Sequence, residues 1–180
     1  MTAPIYLITG VMAAGKSTVA QAIAERLPKS VHLRGDTFRK FIVNGQAVMN
    51  ERELSEEGIA QLRLRQEIAA EVACKYSDAG FTVALQDIYM GDDLLKMVYR
   101  LGERPVHVVV LCPSEEAVRQ REEMRPKTGY KPDGLQPGAM VDILRTETPA
   151  VGLWLNTSNL TIEQTVDAIL DRRDEALVSR

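Results

Sequence analysis

The residue pattern predicts an α/β fold in three layers, a five-stranded parallel sheet flanked by helices, with a short lid. Three observations carry that expectation. Short apolar runs rich in β-branched residues alternate with longer amphipathic segments along the 180 residues. Those runs are mostly continuous rather than alternating, which suits parallel strands covered on both faces. The first of them ends in a glycine-bounded loop carrying Lys16 and Ser17, where a strand hands over to a helix. Strands alternating with helices build right-handed βαβ units, so the sheet is expected to be doubly wound.

Taken in order, Ile5–Thr9 reads as the first strand and 16–27 as the helix after it. Val31–Arg34 is the second strand and leads into a short helix over 36–43. Residues 44–54 are polar and carry no clear period. A long helix follows over 55–79, then a third strand, Thr82–Gln86, and a helix over 91–101. Val106–Leu111 is the fourth strand, with a helix over 114–124 behind it. Residues 126–138 hold three prolines and three glycines, a density that prevents regular structure and marks a long loop of the kind that serves as a lid. A helix over 137–147, a fifth strand at Gly152–Leu155 and a helix over 161–173 complete the set. The expectation is one domain over residues 1–180 with a lid at about 119–138.

Composition narrows the function classes. A net charge of −3 counts against a protein coated in nucleic acid, and no clustered basic stripe offers the several phosphate contacts that long nucleic acids require. Cys74 and Cys112 are too few for a disulfide framework and lack metal-ligand spacing. No apolar run approaches the ~18 residues of a membrane span. Ile5-Tyr6-Leu7-Ile8 has no basic stretch before it, so the start does not read as a signal peptide. A cytoplasmic chain with no membrane partner is the expectation.

The strongest motif is Gly10-Val11-Met12-Ala13-Ala14-Gly15-Lys16-Ser17, which fits G-x-x-x-x-G-K-[ST] at every fixed position. Gly10 and Gly15 let the backbone turn so that successive N–H groups face phosphate oxygens. Lys16 reaches the β- and γ-phosphates, and the Ser17 hydroxyl can ligate Mg²⁺. Thr18 offers a further hydroxyl near the α-phosphate. The helix starting at Lys16 adds its positive dipole end. The motif predicts a P-loop NTPase fold using ATP and Mg²⁺. No Asn-Lys-x-Asp or Asp-x-x-Gly pattern of a GTPase and no Leu-Ser-Gly-Gly-Gln signature occurs, and the length leaves no room for the helical lid domain of an AAA+ motor. The small kinase type remains.

Other candidates follow from position. Asp36, beyond the second strand, is expected to face the same crevice as the loop, where a carboxylate can accept a hydroxyl proton; alternatively it caps the next helix. Arg39, one turn on, either holds an anionic group of the acceptor or is a solvated helix residue. Asp87 closes the third strand, where a carboxylate can hold Mg²⁺ or bind substrate. Arg119, Arg121 and Arg125 lead into the Pro/Gly loop; Arg121 and Arg125 share a face and can contact base or phosphate, whereas Glu115, Glu116, Glu122 and Glu123 offer ordinary ion pairs. Lys127 is a weaker lid candidate. In the long helix, Leu62, Ala69, Val72, Ala73 and Tyr76 form a stripe that includes Arg65, which snorkels, pairs with a buried acid or faces substrate. His32, His107 and Trp154 read as structural. The turn Asn156-Thr157-Ser158-Asn159 lies at the same strand edge and is an adenine-side candidate.

Together these residues resemble the chloramphenicol phosphotransferase-like P-loop kinases. Ala14-Gly15-Lys16-Ser17 is similar to that family's P-loop ending, and Asp36 sits where its catalytic Asp takes the antibiotic's hydroxyl proton. Gln86-Asp87-Ile88-Tyr89-Met90-Gly91 resembles its acidic third-strand motif, with Gln86 in place of an Asp. Arg121-Glu122 with Arg125 is similar to its lid arginines, and Leu155-Asn156-Thr157-Ser158 to its last-strand turn. The resemblance implies ATP-dependent, Mg²⁺-assisted phosphorylation of a small-molecule hydroxyl, with Lys16, Asp36 and Arg125 in the catalytic machinery. Gly35-Asp36-Thr37-Phe38-Arg39 also resembles the Gly-Asp-x-x-Arg of adenylate kinases, whose Arg holds a nucleoside monophosphate. Those enzymes' Asp-Gly-Phe-Pro-Arg and Gly-x-Pro-Gly patterns are missing here. The readings carried forward are a small-molecule hydroxyl kinase, a nucleoside monophosphate or polynucleotide 5′-hydroxyl kinase, and a nucleotide-binding regulator with little turnover.

Overall fold

A computed structural model of the chain describes residues 2–49, 53–125, 129–130 and 134–178. Its strands are β1 (Ile5–Gly10), β2 (Ser30–Arg34), β3 (Thr82–Gln86), β4 (Val106–Leu111) and β5 (Leu153–Leu155). The helices are α1 (Lys16–Arg26), α2 (Asp36–Lys40), α3 (Glu56–Asp78), α4 (Asp92–Arg100), α5 (Glu115–Glu123), α6 (Pro137–Glu147), α7 (Ile162–Asp171) and α8 (Arg173–Ala176). All strand pairs are parallel, in the order β2-β3-β1-β4-β5. The expected five-stranded α/β sheet flanked by helices is the observed fold.

Position in the sheet explains composition. β1 and β4, at the centre, are buried along their whole length, and their sequences are almost unbroken apolar runs. β2, at an edge, is only half-buried. Register brings Ile8 level with Gln86, and Gln86 level with Arg34, so β3 and β2 end together while β1 runs two residues further, to Gly10. Beyond them the chain turns sharply where β1 meets β4. A side chain at Gly10 would lie 2.5 Å from the Leu111 carbonyl oxygen, so this crossing requires glycine.

Helix starts follow capping chemistry. Ser55 accepts from the Gly58 N–H at α3, and Ser114 accepts from the Ala117 N–H at α5. Thr161 and Gln164 form a capping box at α7. Each such cap contributes about 1 kcal/mol.

Several boundaries differ from expectation. The helix after β2 stops at Lys40 rather than 43. The last helical stretch breaks at Arg172 into α7 and α8, and α8 is anchored where Val178 N–H donates to the Val106 carbonyl. The buried face of α3 is also different: Gly58, Gln61, Gln66, Ala69, Ala70, Ala73 and Ser77 lie inside, while Tyr76 is exposed and meets Phe81 edge-on. Apolarity misplaces this face because polar residues with tertiary partners occupy part of it. Gln61, for one, holds the Gly45 carbonyl and the Ala47 N–H. Among the described residues no helix is long and apolar enough to cross a membrane.

Candidate active site

Because the strands are parallel, their carboxyl ends share one edge, and the singled-out residues follow those ends. The loop from Gly10 to Gly15 turns on positive φ values at Gly10 (147°), Ala13 (61°) and Gly15 (98°). Ala13 is the one non-glycine with positive φ among the described residues, a conformation costing roughly 1–2 kcal/mol. Such strain concentrates where backbone geometry serves a ligand. Val11 and Ala14 are buried, Met12 and Ala13 pack against the core, and Ser17 and Thr18 stand exposed on the first turn of α1.

Lys16 folds back over its own loop. Its Nζ donates to the carbonyls of Gly10 (2.9 Å) and Val11 (2.8 Å). Loss of hydration lowers its pKa to about 8; Asp87 and Asp36 oppose the shift, and Arg125 and Arg65 add to it. Both acids and both arginines are thus within electrostatic reach of one ammonium. A phosphate arriving in the cradle offers Lys16 a stronger, anionic acceptor than two carbonyls.

On the β2–β3 side the Gly35 N–H donates to the Gln86 carbonyl at 3.0 Å. Asp36 is the first residue of α2, not its cap; Gly35 takes the cap position without a side-chain bond. Asp36 Oδ2 pairs with Lys40 Nζ at 3.1 Å, and its side chain is about half exposed (47%). An i,i+4 pair of this exposure is weak and leaves the carboxylate open to a ligand. Arg39 is otherwise engaged: its Nη2 donates to the Ala47 carbonyl at 2.8 Å, which pins the irregular segment after α2.

Asp87 is the most enclosed acid here, with a side-chain exposure of 5%. Oδ1 accepts from Arg65 Nη2 (3.1 Å) and from the Ile88 N–H (2.8 Å). Burial raises its pKa against the pull of Arg65, the Ile88 N–H and Lys16. Arg65 therefore pairs with a buried acid instead of snorkelling. Asp87 Oδ2 is buried with no hydrogen-bond partner. A carboxylate oxygen left bare in a dry site is costly unless something docks on it. Among the described residues no group of three His, Cys, Asp or Glu side chains gathers to hold a metal. Mg²⁺ is ordinarily held by one or two protein oxygens plus phosphates and waters, and bare Asp87 Oδ2 with the Ser17 hydroxyl fits such a partial set.

On the other flank Arg121 is half-buried. It reaches the Ala14 carbonyl (3.3 Å) and donates to the Thr157 carbonyl and hydroxyl, joining the P-loop to the turn after β5. Arg125 pairs with Glu122 at 3.1 Å, just past the end of α5. Arg119 is an exposed partner of Glu115 and takes no part in the cluster. Lys127 lies outside the described residues, as do several residues of the expected lid. Sequence reasoning missed four residues. Glu122 accepts the N–H groups of Gly129 and Tyr130, and the buried Tyr130 donates its hydroxyl to the Met12 carbonyl (3.1 Å), so this part of the Pro/Gly segment rests on the P-loop. Thr9 and Tyr89 exchange two 2.8 Å bonds, Thr9 hydroxyl to Tyr89 carbonyl and Tyr89 N–H to Thr9 hydroxyl, tying β1 to the chain after β3. A threonine ending an apolar strand and a tyrosine in a Pro/Gly loop were the available signals; Glu122 was expected only as an ion-pair partner, which it also is to Arg125. His32 bonds Gln21, and His107 bonds the Arg173 carbonyl while stacking on Tyr6. Trp154 packs against the core.

A family described as an AAA domain matches residues 5–146, from the start of β1 into α6. The chain belongs to this AAA domain family. The motor excluded on length carries an added helical domain; the AAA domain match covers β1 to β4 with the helices between them, α5 and most of α6. Comparison with curated proteins gives no match. Among solved structures the chain is similar to a sugar kinase from a Janibacter species (TM-score 0.67, 19% identity, covering 98% of this chain and 96% of that one). It is likewise similar to the Mycobacterium tuberculosis APS kinase in complex with AMPPNP and APS (0.65, 18%, 96% and 98%). A tunicamycin resistance protein from Deinococcus radiodurans matches at 0.67 with 18% identity, covering 99% of each chain. At these identities the likeness speaks for the fold.

Proposed function

We propose that this AAA domain protein is an ATP-dependent phosphotransferase that moves the γ-phosphoryl group of ATP to a hydroxyl of a small molecule. One observation carries the reading: Asp36, a half-exposed carboxylate, stands within electrostatic reach of the P-loop lysine at the shared strand edge. A protein that only binds nucleotide has no use for a proton acceptor beside the transferred phosphate. Kinase relatives in fold, one of them holding AMPPNP with APS, support the same reading. So does the resemblance to chloramphenicol phosphotransferase-like kinases.

In this reading the N–H groups of Val11 to Lys16 and the exposed hydroxyls of Ser17 and Thr18 hold the phosphates. Lys16 leaves the Gly10 and Val11 carbonyls for the β- and γ-oxygens. Asp36 releases Lys40 and takes the acceptor's hydroxyl proton as that oxygen bonds to the γ-phosphorus and the bond to the β-bridging oxygen breaks, leaving ADP. Arg121 steadies the loop, and Arg125 swings from Glu122 toward the phosphate charge. Mg²⁺, held through Ser17 and Asp87, would neutralise charge on the β- and γ-phosphates. Arg65 sets the Asp87 carboxylate, and the acceptor enters on the β2–β3 side. A nucleoside monophosphate acceptor is less well supported, because Arg39, the residue it would need, is committed to Ala47.

The test is labelled-ATP transfer across hydroxylated metabolites, antibiotics, nucleotides and short RNA. With an acceptor in hand, Asp36→Asn is expected to cut transfer by roughly 10²–10⁴-fold while ATP binding persists. Undiminished turnover in Asp36→Asn would remove the base from the scheme.

A further inference from the structure

Gly35 lacks the usual reasons for being glycine. Its φ and ψ, −61° and −36°, are helical and open to any L residue. It opens α2 without the extended backbone of a capping residue, so a capping preference does not explain it either. Alanine at such a position ordinarily stabilises, because it restricts the unfolded chain.

The explanation lies across the β2–β3 junction. A Cβ built on Gly35 would stand 2.5 Å from Asp87 Oδ2 and 3.0 Å from both Asp87 Cγ and Cβ. The Asp87 carboxylate fills the place where a side chain at 35 would be. Its Oδ1 is taken by Arg65 and the Ile88 N–H, which leaves Oδ2 on the Gly35 side. The Gly35 N–H to Gln86 carbonyl bond fixes the same two strand ends through the backbone. Asp36 is covalently the next residue. We infer that Gly35 is a positioning residue: its missing side chain seats the Asp87 carboxylate against the backbone that carries Asp36, so that the two acids are held as one rigid unit. The inference about seating stands on packing; its catalytic meaning rests on the proposed kinase reading.

The two can be separated experimentally. Gly35→Ala is expected to lower Tm by several degrees in the wild-type background, because the new methyl meets a carboxylate held in place by Arg65 and the Ile88 N–H. In an Asp87→Gly background the same change is expected to leave Tm level or raise it, since only the favourable unfolded-state effect remains. A double variant that folds where Gly35→Ala does not is the same result in stronger form. An equal loss in both backgrounds, or none in either, overturns the proposal. With an acceptor identified, kcat of Gly35→Ala is expected to fall about tenfold or more while ATP affinity without Mg²⁺ stays within about twofold. Parallel losses in both would mean general damage and overturn the positioning role. Should the wild-type chain phosphorylate nothing, the kinase reading fails while the sign reversal in Tm still decides the contact.

Discussion

The two flanks of the strand edge are built on different principles. On the β1 side the site is one continuous stretch, Gly10 to Ser17, and its working groups are largely backbone N–H donors arranged by two glycines and one strained alanine. On the β2–β3 side the proposed groups are side chains drawn from three places, Asp36 on α2, Arg65 on α3 and Asp87 after β3; Arg65 and Asp87 hold each other, and Asp36 pairs with Lys40. In the proposed reading, a backbone cradle would bind what all nucleotides share. A side-chain cluster can be revised one residue at a time, which makes the β2–β3 flank the place where an acceptor would be selected.

The largest effect to test that contrast is expected from Lys16→Met. Losing the P-loop ammonium is expected to cost roughly 10²–10³-fold in transfer and most of the nucleotide-induced rise in Tm. A nucleotide shift equal to wild type would refute the cradle. The same variant carries a pH signature. Lys16 titrates at about 8 in the folded chain, against 10.5 for an unburied lysine. Between those values the unfolded chain binds more protons, so folding stability rises with pH across that window. Nucleotide-free wild type is therefore expected to gain Tm relative to Lys16→Met from pH 7 to 10; a constant difference would show that burial does not perturb this lysine.

Next in size is Arg65→Met, which probes the assembled flank. It leaves Asp87 buried beside a bare apolar chain, a loss expected to cost about 3–5 kcal/mol in chemical denaturation. Adding Asp87→Asn should recover much of it, because the uncompensated charge is the source of the damage. Equal stability of single and double variants would mean that Arg65 matters only for packing.

The same contrast governs how much could be read from sequence. The parallel sheet was legible because β1 and β4 sit in the middle and read as unbroken apolar runs. The cradle was legible because its residues are consecutive. Asp36 and Asp87 could be placed at the strand edge because each lies within two residues of a strand end. Arg65 could be offered as the partner of a buried acid but not matched to Asp87, which lies 22 positions away, because the buried face of its helix includes polar residues such as Gln61 and Gln66. Arg39 was ambiguous for the same reason: only the folded chain brings Ala47 to its guanidinium. The seating of Asp87 against Gly35 depends on a void, and a void leaves no pattern in a single sequence.

The smallest predicted effect separates two arginines of one helix. Arg119 and Arg121 are two residues apart on α5, in the same field of glutamates. Arg119 forms an exposed i,i+4 pair with Glu115, so Arg119→Ala should leave both stability and nucleotide binding essentially as they were. Arg121 is half-buried, its pKa lowered by lost hydration, and it joins the Ala14 carbonyl to Thr157. Its removal strips partners from both loops, and Arg121→Ala is expected to cost about 1.5–3 kcal/mol and to loosen the P-loop as measured by hydrogen exchange at Ala13 to Lys16. If both alanine variants behave alike, Arg121 is a surface charge like its neighbour. The tie between the P-loop and the β5 turn would then carry no energy.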